Sequence, residues 1–460
     1  MRTNVGSYKI KHGLDLRLMG SPKPSIADTF NSRSVSIYPQ EFEGIKPRLQ
    51  VKQGDIVKRG GLLFFDKKNE RLQFRAPAGG RVSSIKLGPR RAVTEIEIEV
   101  TSNEEVETFK RFTQEQILTL SRDEILAQLL ETGYLAYIMQ RPFSKIADPE
   151  VRPKSIFVNG MNTAPFQPDI HIAVAGDEEA FQAGLNTLTR LTNGSVNLCL
   201  AENPTRPSSA VMQANHVDIH TFSGPHPSGN ASVHIHHIDP ISPGDQVWVA
   251  GALDVIQIGK LFLEGVLPVT KVIAVGGNGI QESGRQYYRT RIGGRLGSLL
   301  DGKYVQESQR ILSGDALSGI QIQADEHLRF YQSSITVIPV GRERSFLGWM
   351  LPGWNQFSTS KLFLSSWFRR SAFWNLNTNL NGSHRIMVLT GLYDQYLPMR
   401  IMVDYLVRAV LAHDTNEAVK LGILETDPED FALCSYVCPS KMDIMGVIRS
   451  GLKEIEEEGL

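Results

Sequence analysis

Apolar positions along this chain follow two different spacings, and the changes between them divide it into modules. From about residue 44 to 100, short apolar strands alternate with turn glycines, as in Val51-Lys52-Gln53-Gly54-Asp55-Ile56-Val57-Lys58-Arg59-Gly60 and Ala76-Pro77-Ala78-Gly79-Gly80-Arg81-Val82. That texture predicts a small antiparallel β-barrel or hammerhead of the carrier type. Helical spacing starts at Ser121, which makes a capping-box pattern with Glu124 ahead of the pairs Ile125/Leu129 and Leu126/Leu130, and Gly133 is placed to stop the helix. Beyond the proline-bearing stretch 141–153, residues 155–159, 171–175 and 196–200 read as buried strands, and Asp177 caps a helix running to about Leu191. This β-α-β order implies a parallel, Rossmann-like sheet with Cys199 in its core. Strand-like runs at 272–275 and 335–340 bracket a segment at 287–300, the order of a β-grasp module. Helices are expected at 399–412, from Asp427-Pro428 to Pro439, and at 441–458.

The expected architecture is therefore α/β multidomain, α+β overall. A carrier-like β domain occupies 1–105, a Rossmann-like α/β domain 106–264, a β-grasp (soluble-ligand-binding) module 265–340, an aromatic connecting segment 341–385 and a helical domain 386–460.

Composition narrows the classes. With 460 residues, 41% hydrophobic and 21% charged, the chain can bury a large core in about three domains. Its 49 basic residues equal its 49 acidic ones, so no global field favours nucleic acid. Three cysteines argue against a disulfide framework and suit a reducing compartment. The first 18 residues lack the apolar core of a signal peptide, and no run approaches the roughly 20 apolar residues needed to span a bilayer. The expectation is a soluble globular protein that meets a membrane, if at all, as a peripheral partner.

Four features invite chemistry. Cys434 and Cys438, in Leu433-Cys434-Ser435-Tyr436-Val437-Cys438-Pro439, look like the closing half of a ferredoxin run, but a cubane takes four thiolates and the one other cysteine is the distant Cys199. Two cysteines four apart share one helix face, so packing explains them. Six of eleven histidines lie between His216 and His237, with His234 and His236 in strand-like alternation as weak metal candidates, and hydrogen-bonded loop histidines are the default. Lys67, beside Asp66 and Lys68, sits where carrier domains bear a swinging arm, yet the approach to it is too short, so it is expected to stay unmodified. Finally Trp349, Trp354, Trp367 and Trp374 fall within 26 residues of one another beside Arg369 and Arg370, a mixture enriched at protein interfaces and membrane boundaries. No glycine-rich dinucleotide fingerprint is present: Val174-Ala175-Gly176-Asp177-Glu178 puts acids where phosphates would lie.

With these residues in view the chain resembles the A subunits of bacterial sodium-translocating NADH:quinone oxidoreductases nearly end to end. The likeness is carried by Lys11-His12-Gly13-Leu14-Asp15-Leu16, Ala76-Pro77, Arg141-Pro142-Phe143-Ser144-Lys145, Gly224-Pro225-His226-Pro227, His234-Ile235-His236 with Asp239-Pro240, Phe346-Leu347-Gly348-Trp349, and the run from Ala432 to Lys441. Residues 1–8 and 27–34 depart from the family pattern. That family is similar in turn to the flavin-binding subunit of respiratory complex I and the C subunit of the Rnf complex. The resemblance implies that Phe143, Lys145, Asn159, Gly160 and Pro165 survive from a flavin site whose phosphate-cradling glycines and acids are gone, and that Cys434 and Cys438 survive from a cluster site. It implies a peripheral subunit on the cytoplasmic face of the bacterial inner membrane, inactive when isolated and without a cofactor of its own. The complex would use NADH, flavins, iron-sulfur and ubiquinone, with membrane-embedded and flavin-bearing subunits as partners, ubiquinone nearby, and Trp349, Trp354, Trp367, Arg369, Arg370 and Trp374 as the partner contact. A flavin-binding subunit like the relatives, or a non-redox soluble-ligand-binding module, stand as alternatives.

Overall fold

A computed structural model of the chain describes residues 4–305, 308–341, 348–369, 372–388 and 391–459. Among them the α/β domain is built on a seven-stranded sheet ordered Asn4–Lys9, Asp218–Ser223, Val196–Ala201, Ser155–Asn159, Val247–Gly251, Met139–Arg141, Lys145–Ile146. The first five run parallel, and the last two form an antiparallel edge hairpin. Strand alternation sends successive side chains to opposite faces. Ile156, Val158, Leu198, Leu200, Trp248 and Ala250 face a core shared with the helices Glu178–Thr189 and Ala252–Glu264. Phe157, Cys199, Val247 and Val249 face the other way, into a core completed by Leu406, Phe431 and Ile448 of the C-terminal helices. The C-terminal domain thus closes the second face of the sheet.

The two helices on the first face approach closely because glycines meet at their crossing. A Cβ on Gly259 would lie 1.7 Å from the Ala180 carbonyl oxygen, and one on Gly184 would lie 2.1 Å from that of Val255. The helix Arg122–Thr132 forms as its sequence requires: Ser121 and Glu124 make a reciprocal capping box, and Gly133 ends the helix at φ +78°.

The N-terminal barrel consists of two small antiparallel sheets, one of Ser34–Ile37, Val93–Val100, Gly80–Leu87 and Ile56–Val57, the other of Pro47–Leu49, Leu62–Asp66 and Asn69–Arg75. Phe42, Phe64 and Phe74 stack between them at centroid distances of 4.4 to 6.4 Å. A six-stranded sheet ordered Ile320–Ile322, Gln309–Ser313, Ser334–Pro339, Thr270–Gly276, Gln286–Arg291, Lys23–Phe30 forms the third module.

Several local expectations are corrected. The first thirty residues do not pair within the barrel: Asn4–Lys9 adds a parallel strand beside Asp218–Ser223, with Tyr8 stacked on Phe222 at 4.8 Å, and Lys23–Phe30 joins Gln286–Arg291. Both pairings are long-range, which a reading of neighbouring residues does not reach. Residues 171–175 are not a strand; Ile170–Ala173 is a helical turn, with the Asp169 carboxylate accepting from the His171 N–H at 2.9 Å. His234 and His236 likewise lie on a helix, Ala231–Ile238, rather than a strand. The segment opening at Asp427 is a 3-10 turn, Pro428–Phe431, that runs into the helix Ala432–Val437.

Candidate functional site

From Ser155–Asn159 the chain builds outward through Val196–Ala201 and Asp218–Ser223, then returns to place Val247–Gly251 on the opposite side of its starting strand. In open α/β sheets the crevice at the carboxyl ends of strands, where the order reverses, is the place for a ligand. A cavity of about 270 Å³ opens there. Asn159 and Gly160 reach it from one strand end and Gly251 from the other, while the loops add His226 and Asp315, and Glu429 comes from the C-terminal domain.

The cavity is acidic. Asp254, Asp315 and Glu429 line it, and no lysine or arginine is among its lining residues. Asp254 stands in the first turn of Ala252–Glu264, whose N-cap is Gly251, so a carboxylate already occupies the helix N-terminus where a phosphate would bind. Burial raises the Asp254 carboxyl to about 6 against the pull of buried Lys271, and burial lowers Lys271 to about 8. Surrounding protein raises Glu429 and Asp430, and the neighbouring carboxylates raise them further. Asp430 is held by the Asn230 amide at 2.9 Å. Burial lowers His226 to about 4, so this ring is neutral near pH 7; its Nδ1 pairs with Thr163 Oγ1 at 3.0 Å.

The five positions assigned to a degenerate flavin site separate. Asn159 and Gly160 line the cavity; the Asn159 amide donates to the Gly229 carbonyl at 2.9 Å, and its oxygen accepts from the Met161 N–H. Phe143 and Lys145 do not line it. They belong to the hairpin joining Met139–Arg141 to Lys145–Ile146, where Phe143 and Ser144 take left-handed φ of +80° and +52°. Arg141 and the Ser144 hydroxyl both bond Asp427, and Lys145 pairs with Glu456 while its Nζ lies 5.7 Å from the Phe143 ring centre. This hairpin is a clasp onto the C-terminal helices. Pro165 lies on the loop after Asn159 and is not among the cavity-lining residues.

Cys434 and Cys438 are fully buried. The Cys438 sulfur pairs with the Tyr393 hydroxyl at 3.0 Å, the Cys434 sulfur lies 3.9 Å from the Tyr393 carbonyl oxygen, and burial pushes the Cys434 thiol up. Both side chains pack among apolar neighbours of the second core. His234 is buried with Nε2 on the Ser228 carbonyl at 3.0 Å, and burial lowers it to about 3; His236 pairs instead with Glu425 at 2.7 Å. Two residues apart on a helix, they point to different sides. Among the described residues no group of three or more His, Cys, Asp or Glu is arranged to hold a metal ion. The aromatic segment also divides. Trp354 and Trp367 are exposed, whereas Trp374 is buried against Phe357 and bridged to Leu18, so it is not available as a contact in the free chain. The Trp349 side chain and Arg370 lie outside the described residues.

Sequence reasoning missed Asp254, Asp315 and Glu429, acids far apart along the chain. Asp254 alone left a signal, an acid in a helix first turn directly after a strand.

A barrel-sandwich module, a parallel α/β sheet with its cavity at the strand reversal and a helical cap over the second face define a multidomain α/β class. Three domain models of one family match in that order: the NqrA N-terminal barrel-sandwich hybrid domain over residues 8–101, the NqrA second alpha/beta domain over 120–267 and the NQRA C-terminal domain over 272–324. Relatives named as the A subunit of a Na(+)-translocating NADH-quinone reductase are 38% identical in Pasteurella multocida and 39% identical in Photorhabdus laumondii, covering 98% of this chain and 99% and 100% of those proteins. The chain belongs to the family formed by the A subunits of the Na(+)-translocating NADH-quinone reductases. Among the described residues no helix is long and apolar enough to cross a membrane.

Proposed function

We propose that this chain is a peripheral, cofactor-free subunit of a respiratory sodium pump that oxidises NADH, reduces ubiquinone and exports sodium ions. The observation that carries the cofactor-free reading is the acidic cavity at the strand reversal. A flavin phosphate placed there would meet Asp254 at the helix N-terminus with Asp315 nearby and no lysine or arginine among the lining residues. The residues present do not fit the group. The hairpin that would wrap the phosphate is committed to Asp427 and Glu456.

On this reading the flavins, iron-sulfur centre and NADH site belong to partner subunits, and the isolated chain has no turnover. It sits on the cytoplasmic face of the inner membrane and docks on membrane-embedded and flavin-bearing subunits with its aromatic segment turned toward the membrane, where Trp354, Trp367 and Arg369 are the exposed part and Trp349 and Arg370 lie in the same stretch; Trp374 anchors that stretch to the body. The N-terminal barrel serves as an unmodified carrier-like module, and the sheet containing Thr270–Gly276 as a β-grasp module. The test is affinity purification of the tagged chain from detergent-solubilised membranes. Retention of flavin-containing membrane subunits with sodium-stimulated NADH:quinone activity is expected, and recovery of the chain alone from intact membranes would overturn the proposal.

A further inference from the structure

None of the chain's acidic residues falls between Glu343 and Asp394, a length that would ordinarily carry several, while Arg344, Lys361, Arg369, Arg370 and Arg385 all lie within it. The same stretch exposes large apolar side chains: Trp354 is 53% exposed, Trp367 60%, Phe368 70% and Leu362 64%. They are held together. The Leu364 N–H bonds the Pro352 carbonyl at 3.0 Å, the Trp354 and Phe368 rings lie 6.0 Å apart at a small angle, and Arg369 bonds the Trp354 carbonyl at 3.2 Å. The underside is fixed to the body through Phe357, which packs on Trp374 and Tyr436. One side is anchored, and the other presents aromatic and aliphatic groups.

We propose that this exposed side seats on an anionic lipid bilayer, at the boundary between headgroups and acyl chains. The inference builds on the peripheral reading above and adds a second surface for it, the lipid itself. Tryptophan with lysine and arginine is the composition favoured at that boundary, where rings enter the apolar edge and cations meet lipid phosphates. A protein partner of mixed charge would select both signs around its rim, and this stretch carries one sign only. With no membrane-crossing helix among the described residues, the segment would lie in the plane of the interface.

The test uses the full chain with vesicles of phosphatidylglycerol and phosphatidylethanolamine, or of phosphatidylcholine alone, followed by flotation and tryptophan emission. Binding to the anionic vesicles, a blue shift and release by high salt are expected. Trp354→Ala and Trp367→Ala should each weaken binding about tenfold. Lys361→Glu with Arg385→Glu should abolish the preference for anionic lipid, and all variants should keep the parent melting temperature. No binding of the parent chain to anionic vesicles, or binding unchanged in these variants, would overturn the inference. The same variants, assembled on the detergent-solubilised complex, separate it from the reading it rests on. Assembly retained with vesicle binding lost supports a lipid seat. Assembly lost with vesicle binding intact assigns the patch to a protein partner and removes the lipid seat, leaving the subunit role standing.

Discussion

Asp427→Ala should be the most damaging single change at the contact between the α/β sheet and the C-terminal helices. Asp427 pairs with Arg141, accepts the Ser144 hydroxyl and caps the Pro428–Phe431 turn through the Glu429 N–H at 3.0 Å. The side chains of the pair are only 7% and 14% exposed, so removing the carboxylate strands a buried guanidinium whose Nε already has no partner. Breaking such a pair costs about 3 to 5 kcal/mol, and losing the cap adds about 1 kcal/mol. Relief of repulsion toward Glu429 and Asp430 returns about 1 kcal/mol, which leaves a net loss near 4 kcal/mol. Urea unfolding of the isolated chain measures this as a shift in midpoint at constant slope. A cycle with Arg141→Met should show a coupling of about 2 kcal/mol or more. Lys145→Ala, whose pair with Glu456 is about one third exposed, should cost less than about 1 kcal/mol. If Asp427→Ala costs under about 1 kcal/mol, or adds independently to Arg141→Met, the hairpin is not clasped to the helices and the account of the remodelled loop fails.

Between about pH 4 and pH 6 native Asp254 keeps a proton that the unfolded chain releases, so its contribution to stability falls as pH rises through that window. Asp254→Asn should remove about 2 kcal/mol of that decline, read as the difference between the two proteins' urea midpoints at pH 4 and pH 7; parallel pH profiles would contradict it. Replacing Cys434 and Cys438 together by alanine should cost about 2 kcal/mol in the free chain and preserve turnover of the assembled complex, because both thiols fill apolar space; loss of turnover in a normally assembled variant would reassign them. Trp374→Ala should destabilise the free chain by about 3 to 5 kcal/mol, while Trp367→Ala leaves its melting temperature in place; equal effects would erase the division of the aromatic segment.

Legibility followed the range of the interactions. The capping box at Ser121 and Glu124, the strand Ser155–Asn159 and the packed Cys199 were all readable, because each is written in a few neighbouring residues. Residues 171–175 misled because the four apolar residues after His171 are strand-like in pattern, while the Asp169 cap that makes the segment helical depends on one local hydrogen bond. The pairings of Asn4–Lys9 and Lys23–Phe30 were not readable because their partners lie some two hundred and more residues away. The cavity was invisible for the same reason, since folding alone brings Asp254, Asp315 and Glu429 to one crevice. Phe143 and Lys145 were expected at one site with Asn159 and Gly160, yet their hairpin faces Asp427 and Glu456, contacts that no local pattern announces.

The central claim is that this subunit holds no flavin at the reversal of its parallel sheet. The chain, purified in its folded form under mild conditions, is denatured and assayed by absorbance and fluorescence for released flavin per chain. The account predicts a value far below one, unchanged when the protein is first incubated with flavin mononucleotide and desalted. One flavin per chain, as isolated or after that incubation, would contradict it.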